Sequence, residues 1–228
     1  MSHDIYPSLS GAAAAWRHLE VISNNLSNTS TNGYKEQRLS FESALVSDGP
    51  LGEGYVAAAP TEQDFSNGRL VPDNVSTHMA LSGRGFFLLE DGTFTRAGDF
   101  KLDQNMFLVT PDGQRVMGSN GPIQILENSE MRVRTDGTIL LNGDVFDRFA
   151  LVDAEQIESV GGNRWRTDDD VYETNVEVIQ GALEASNVDP MRSMTDLIQT
   201  SRYFEIYRAA MKTSDEMDRT NINIAREA

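Results

Sequence analysis

The chain changes its hydrophobic period twice. Near the start, Ile5, Ala12, Leu19 and Leu26 lie seven apart, and Leu9, Trp16 and Ser23 form a second row offset by four. Six of these seven positions are apolar, which predicts a helix presenting one face to another helix. Ala12 to Ala15 adds strong helix propensity. At about 1.5 Å per residue such a helix is roughly 35 Å long. The same spacing also fits an ordinary helix lying on a globular core. The polar run ISNNLSNTSTNGYK, residues 22–35, follows. Asn and Ser side chains compete with helix hydrogen bonds, so Asn28 to Thr31 is where the helix is expected to end. Asn24 and Asn25 lie beside the seam, where their amides can bond neighbouring helices or backbone. Asn32-Gly33 then turns the chain toward its middle.

The middle looks different and is frequently punctuated. Asn-Gly or Asp-Gly pairs begin at Asn32, Asp48, Asn67, Asp91, Asp112, Asn120, Asp136 and Asn142, and suit turns that need positive φ. Between them lie short runs with strand character: Met79–Leu81, Gly85–Leu89, Phe94–Arg96, Phe107–Thr110, Ile123–Leu126, Met131–Arg134 and Ile139–Leu141. Phe146–Val152 and Val171–Gln180 add further strands. No long helical pattern interrupts them, which argues against a doubly wound α/β fold.

After Gly181 the period turns helical again. Asp189-Pro190 predicts a capped start with Pro in the first turn. Leu197, Phe204 and Met211 are seven apart, flanked by Met194, Ile198 and Tyr207. The next seam position is Asp218, and the offset row holds Ser201 and Arg208, so a simple isolated two-stranded coil is not expected. The fold class predicted is α+β. Terminal helices, residues 1–35 and 186–228, pair into a coiled-coil-like domain. Residues 36–78 form an extended or irregular linker, and 79–185 a β-rich outer domain.

Charge changes this picture by dividing it. The net charge is −16. Residues 1–45 carry 3 basic and 4 acidic groups and residues 186–228 carry 6 and 7, which leaves 10 and 24 for residues 46–185. An acidic middle argues against nucleic acid or an anionic membrane as partner. Near-neutral ends can pack against copies of themselves with little repulsion. No apolar run approaches the roughly 20 residues that span a bilayer. Met1–Ser10 lacks a basic region followed by an apolar stretch, so no cleavable secretory signal is expected.

Candidate chemistry is sparse. The chain has no cysteine, which excludes disulfides, thiolate catalysis and cysteine metal sites. His3, His18 and His78 are too far apart in sequence to suggest a metal pair. Gly83-Arg84-Gly85 reads as a bend beside a strand, lacking the third glycine and following helix of a phosphate loop. Asp168-Asp169-Asp170 reads as a solvated acidic turn rather than a calcium loop. Asn25-Leu26-Ser27, Asn28-Thr29-Ser30 and Asn74-Val75-Ser76 match the glycosylation triplet, which is common by chance. No cofactor is expected and there is no positive case for an enzyme.

Several stretches match one family in order. Ile22–Asn28, followed by Thr31-Asn32-Gly33-Tyr34-Lys35 and Phe41, closely resembles the N-terminal signature of bacterial flagellar basal-body rod and hook proteins. Leu81–Phe87, Phe94–Phe100 and Leu108–Gly113 resemble that family's core β segment. Gln180–Val188 is similar to its stretch before the terminal helix, and Arg202-Tyr203-Phe204-Glu205 to its helix signature. Length and a modest β middle are closer to a rod protein than to the larger hook subunit. The SRYFEIY segment is closer to the proximal rod protein adjoining the distal rod, with the distal rod protein the alternative. The chain departs from the pattern at His78, where an acidic residue is usual, and at Met106, where a turn glycine is usual. Asn105 is expected to take over that turn.

The resemblance implies a structural axial subunit of the flagellar rod, the drive shaft from motor to hook. It implies a place in the basal body within the periplasm, reached through the flagellar export apparatus without a cleaved signal. Partners would be other copies and neighbouring rod proteins, with no nucleic acid and no membrane insertion. The expected subunit-interface residues are Ile5, Leu9, Trp16, Leu19, Asn24, Asn25, Leu26, Met194, Leu197, Phe204 and Met211. The competing class is a β-domain binding module held together by terminal helices. A β-fold enzyme using acidic residues is a third.

Overall fold

A computed structural model describes residues 5–45, 54–126 and 129–227, without the side chains of 5–8, 41–45, 54–60, 215 and 218–227. Helix α1 spans Ile5–Ser27 and α2 spans Pro190–Glu227. The start of α2 follows from its cap. The Asp189 carboxylate accepts the Met191 and Arg192 N–H groups at 2.9 and 3.3 Å, while Pro190 has no N–H to satisfy. No Gly or Pro occurs from Met191 to Glu227. Among the described residues neither helix is long and apolar enough to cross a membrane.

The chain divides into two compact units, 1–27 with 37–64 and 189–228, and 28–36 with 65–188. The first unit holds α1, α2, β1 (Gln37–Leu45) and β2 (Gly54–Gln63). β1 and β2 form an antiparallel ribbon with a bulge between Leu39 and Phe41. These residues were expected within an extended or irregular linker, with no ribbon specified. Leu39 and Phe41 do alternate with Arg38, Ser40 and Glu42, a strand signal. Pro60 and the surrounding glycines obscured it, since Pro within a run argues against a strand.

The second unit is all-β. Its first strands are β3 (Leu70–Pro72), β4 (Met79–Ser82), β5 (Phe86–Leu88), β6 (Phe94–Thr95), β7 (Lys101–Leu102), β8 (Leu108–Val109), β9 (Met117–Gly118) and β10 (Gly121–Pro122). Then come β11 (Met131–Val133), β12 (Thr138–Leu141), β13 (Asp144–Arg148), β14 (Leu151–Asp153) and β15 (Glu158–Gly161). The last are β16 (Arg164–Arg166), β17 (Tyr172–Glu173), β18 (Glu177–Gln180) and β19 (Ala182–Glu184). The largest sheet has the order β15-β16-β6-β5-β14-β17, and every pairing in it is antiparallel. A second sheet is β11-β12-β13, while β18 pairs β4 and β19 pairs β3. Ile123–Leu126, expected as a strand, instead splits its bonds. Ile123 N–H donates to Val116 and Ile125 N–H to Met106, so no single partner strand forms.

Strand alternation builds two cores from one dipeptide. Phe87 packs edge-on to Phe100 and Phe149, at 5.0 and 5.4 Å between ring centroids, in the main core with Met79, Leu81 and Leu108. Its neighbour Phe86 joins Phe94, Val152 and Trp165 in a second cluster, as successive side chains point to opposite faces. Burying such side chains supplies roughly 1.5–3 kcal/mol each.

Of the predicted turn pairs, Gly33, Gly92, Gly113, Gly121, Gly137 and Gly143 take positive φ. Asp48-Gly49 lies outside the described residues. The turn before β8 corrects an expectation, because the left-handed residue is Met106, φ 63°, and not Asn105. The Asp103 carboxylate fixes this choice by accepting the N–H groups of both Asn105 and Phe107, each at 2.8 Å. A left-handed residue with a Cβ costs roughly 1–2 kcal/mol, against about 0.5–1 kcal/mol of backbone entropy for Gly. Met106→Gly is therefore expected to stabilise the chain by about 0.5–1 kcal/mol in urea unfolding. A loss of stability would count against strain at this position.

Candidate functional site

The second unit is closed by three buried charged side chains. Glu184, at the end of β19, is 1% exposed, Lys35 2% and Arg96 2%. One carboxylate oxygen accepts the Lys35 ammonium at 2.8 Å and the Gly68 N–H at 2.7 Å. The other accepts Arg96 Nε at 2.6 Å. Lys35 also donates to the Ser66 carbonyl at 2.8 Å. The Arg96 guanidinium is filled by the carbonyls of Leu81, Gly83 and Gly85 and by the Asn67 side chain. The Gly83-Arg84-Gly85 bend thus serves as a cradle for Arg96. Two cations on one carboxylate leave an excess positive charge, and these backbone oxygens offset it.

The surrounding backbone is built to admit this cluster. Gly33 donates its N–H to the Glu184 carbonyl at 2.7 Å, at φ +67°, and a Cβ there would lie 2.6 Å from the Arg96 carbonyl carbon. A Cβ on Gly68 would sit 1.9 Å from the Ala185 oxygen. Asn187 accepts the Glu36 N–H at 2.7 Å. Tyr34, beside them, is largely buried, and that burial, with the nearby Glu36 carboxylate, pushes its phenol up to about 12.

In the first unit, Asn25 bridges the gap left by residues 28–36. It is 4% exposed; its amide donates to the Gln37 carbonyl at 2.8 Å and accepts the Gln37 N–H at 2.9 Å. One side chain thus supplies the backbone pairing that starts β1. Asn24 is exposed.

The helices of this unit pack antiparallel, since Gly11 meets Tyr207 and His18 meets Thr200. The inward row of α1 is Gly11, Ala15, His18, Ile22 and Asn25, and that of α2 is Ser193, Leu197, Thr200, Phe204, Tyr207 and Met211. Both alternate spacings of four and three. A Cβ on Gly11 would lie 2.7 Å from the Tyr207 ring, so the helices meet where α1 has least bulk. Burial holds the His18 imidazole below its ordinary 6.5, and the Asp196 carboxylate opposes that shift in part.

The predicted interface residues fall into three groups. Leu197, Phe204 and Met211 lie on the inward row of α2, and Leu19 and Leu26 are half-buried. Leu9, Trp16 and Met194 are exposed, at 53%, 53% and 48%. The side chain of Ile5 lies outside those described. The heptad reading of α1 chose its bulky rows and passed over the small row that packs on α2. It also gave no role to Lys35, Arg96 and Glu184, although charges embedded in apolar, glycine-rich motifs signal a buried pair.

A β unit locked by an ion cluster, together with a helix pair that leaves bulky apolar side chains exposed, fits the class of structural proteins. Comparison with known proteins specifies which. Three family models match in chain order: "Flagella basal body rod protein" at residues 5–35, "Flagellar hook protein FlgE/F/G D1 domain" at 80–141 and "Flagellar basal body rod FlgEFG protein C-terminal" at 179–224. Lys35, Arg96 and Glu184 fall one in each. The flagellar basal-body rod protein FlgG of Buchnera aphidicola subsp. Schizaphis graminum is 31% identical, over 95% of this chain and 97% of its own. FlgF of Salmonella typhimurium is 29% identical over 95% of both chains, and FlgG of Bacillus subtilis 26% identical over 99% of this chain and 100% of its own. The chain belongs to the flagellar basal-body rod protein family and is a structural subunit of the basal-body rod.

Removing one partner of a buried charge cluster costs about 3–5 kcal/mol. Glu184→Gln, which leaves Lys35 and Arg96 facing each other, is expected to lose that much in urea unfolding of the whole chain. A change below about 1 kcal/mol, the size of an exposed pair, would show that the cluster does not hold the unit.

His18 gives a pH prediction. Its folded pKa is depressed, so the unfolded state binds the extra proton first as pH falls through 6.5. The contribution is complete above that value and is lost below it, toward the folded pKa. Between about pH 8 and about pH 5, native protein should lose more thermal stability than His18→Asn. Equal losses would contradict the burial of this imidazole.

Proposed function

We propose that the chain is an axial subunit of the rod that assembles helically through α1 and α2, with copies of itself and with neighbouring rod proteins. In this reading the terminal helices form a coiled-coil-like inner domain, residues 1–35 and 186–228, and the β-rich segment lies outside it. The subunit works in the periplasm, is delivered by the flagellar export apparatus without a cleaved signal, and passes torque from motor to hook. Family membership supports the export route and the place in the shaft.

The observation that carries the assembly reading is apolar surface on the helices beyond their mutual contact. On α2, Met191, Met194 and Ile198 are 73%, 48% and 54% exposed, and Tyr203 and Ile206 58% and 61%. At about 100° per residue these make two stripes on either side of the inward row. Leu9 and Trp16 add a third on α1. A helix apolar on several sides is a helix buried on several sides, so each subunit meets more than one neighbour. Contacts of that kind are heterologous and propagate instead of closing. Leu9, Trp16 and Met194, all exposed, are assigned to this interface, and Leu197, Phe204 and Met211, on the inward row, to the helix pair that presents it, with Ile5, Leu19, Asn24, Asn25 and Leu26 supporting the N-terminal face.

Ile206→Asp tests the reading at a site whose exposure spares the fold. Helical content is expected to stay native and stability to shift by less than about 0.5 kcal/mol. Incorporation into basal bodies and swimming are expected to be lost. Swimming at the native level would overturn the assignment of this stripe to a subunit contact.

A further inference from the structure

The two flanks of the helix pair differ in shape. One carries a notch of about 360 Å³. Its floor is Gly11, Ala14 and Ala15 of α1, and its far wall includes Gln199, Tyr203 and Tyr207 of α2. Small side chains below and ring edges above leave room for one bulky side chain. The other flank carries such a side chain. Trp16 lies two residues beyond Ala14, about 200° further round the helix axis. It stands beside Phe204, with ring centroids 5.7 Å apart, and is 53% exposed. Its indole N–H already donates to Glu20 at 3.0 Å, which leaves the apolar part of the ring open. Leu9, two turns earlier and equally exposed, extends the same ridge.

A projection on one flank and a hollow on the opposite flank of the same helix pair cannot satisfy each other within one chain. They can between chains, head to tail, and that geometry propagates into a helix or ring. Charge favours a second copy as the occupant. Residues 1–45 and 186–228 are each one charge from neutral, so two copies approach here with little repulsion, unlike the acidic segment between them. We infer that the Gly11–Ala14–Ala15 notch receives Trp16 of a second copy, as a knob entering a hole. The inference rests on the assembly reading above and adds the register of one contact. Trp is a strong anchor in such a place, since it buries a large rigid surface at little entropic cost.

The absence of native cysteine allows a direct test. Ala13, on the Trp16 ridge, and Gln199, on the notch wall, are both exposed. Full-length Ala13→Cys and Gln199→Cys are purified separately, mixed and oxidised, beside each variant alone and beside the mixture carrying Trp16→Ala in both chains. The expected result is a disulfide dimer in the mixture, absent from either variant alone and lost with Trp16→Ala. Sedimentation of the native chain at rising concentration separates the two readings. Self-association without the mixed cross-link overturns the knob and hole and leaves the assembly reading standing. Absence of both self-association and cross-link overturns the two together. The same oxidation in basal bodies has one further adverse outcome: a Gln199→Cys cross-link to a different protein would assign the notch to a neighbour of another kind.

Discussion

The Glu184 carboxylate holds two cations that arrive from distant parts of the chain. Lys35 follows the first helix by a few residues, and Arg96 sits at the centre of the β unit. Desolvating three charged groups costs several kcal/mol per ion, and only their mutual contact, with the carbonyls that fill the remaining donors, offsets it. The cluster is therefore all-or-none. With Glu184 absent, Lys35 and Arg96 would face each other in a dry interior with no carboxylate between them. The segment entering the β unit, its central strands and the segment leaving it must then order together. β18 and β19 repeat the constraint in backbone form, since they pair with β4 and β3 from the other end of the unit.

The helical unit solves a different problem. Its inward faces must pack within one chain, while its outer faces must remain available. Small residues serve the first need: Gly11 and Ala15 let α1 approach α2 closely, and bulk there would force the helices apart. Large apolar residues serve the second, because an exposed Trp16 or Ile206 gains most when a neighbour buries it. The Asn25–Gln37 pairing fixes where the ribbon leaves the helix without using any of that apolar surface.

This division explains what the sequence could and could not reveal. Helix limits were legible because Asp189, Pro190 and the Asn-rich run act locally. Many short strands were legible because Asn-Gly and Asp-Gly turns are also local. The heptad period of the helices was visible as well, but periodicity weights large side chains, so it singled out Leu9 and Trp16 over Gly11 and Ala15. The ribbon at 37–63 was hidden by Pro60. The ion cluster was hidden for another reason: its members are 61 and 88 residues apart in sequence, and no local rule joins them. Their motifs had been recognised separately. Only the fold shows that Lys35, Arg96 and Glu184 are one site.

In the proposed assembly, charge explains why the contacts run through the helices. Residues 46–185 carry 24 acidic against 10 basic groups, so like surfaces of two copies repel when brought together through that segment. The helical ends carry almost no net charge and expose bulky apolar side chains such as Leu9, Trp16, Met191, Ile198 and Ile206. A subunit crowded among copies of itself is thus steered to one class of contact by repulsion elsewhere, and the apolar stripes then stabilise it. Added salt acts on only one of the two terms. It screens the repulsion over a Debye length of about 8 Å at physiological ionic strength, and leaves apolar burial intact. Selectivity for the helical contact is then an electrostatic property of residues 46–185, while its strength is a packing property of the helices.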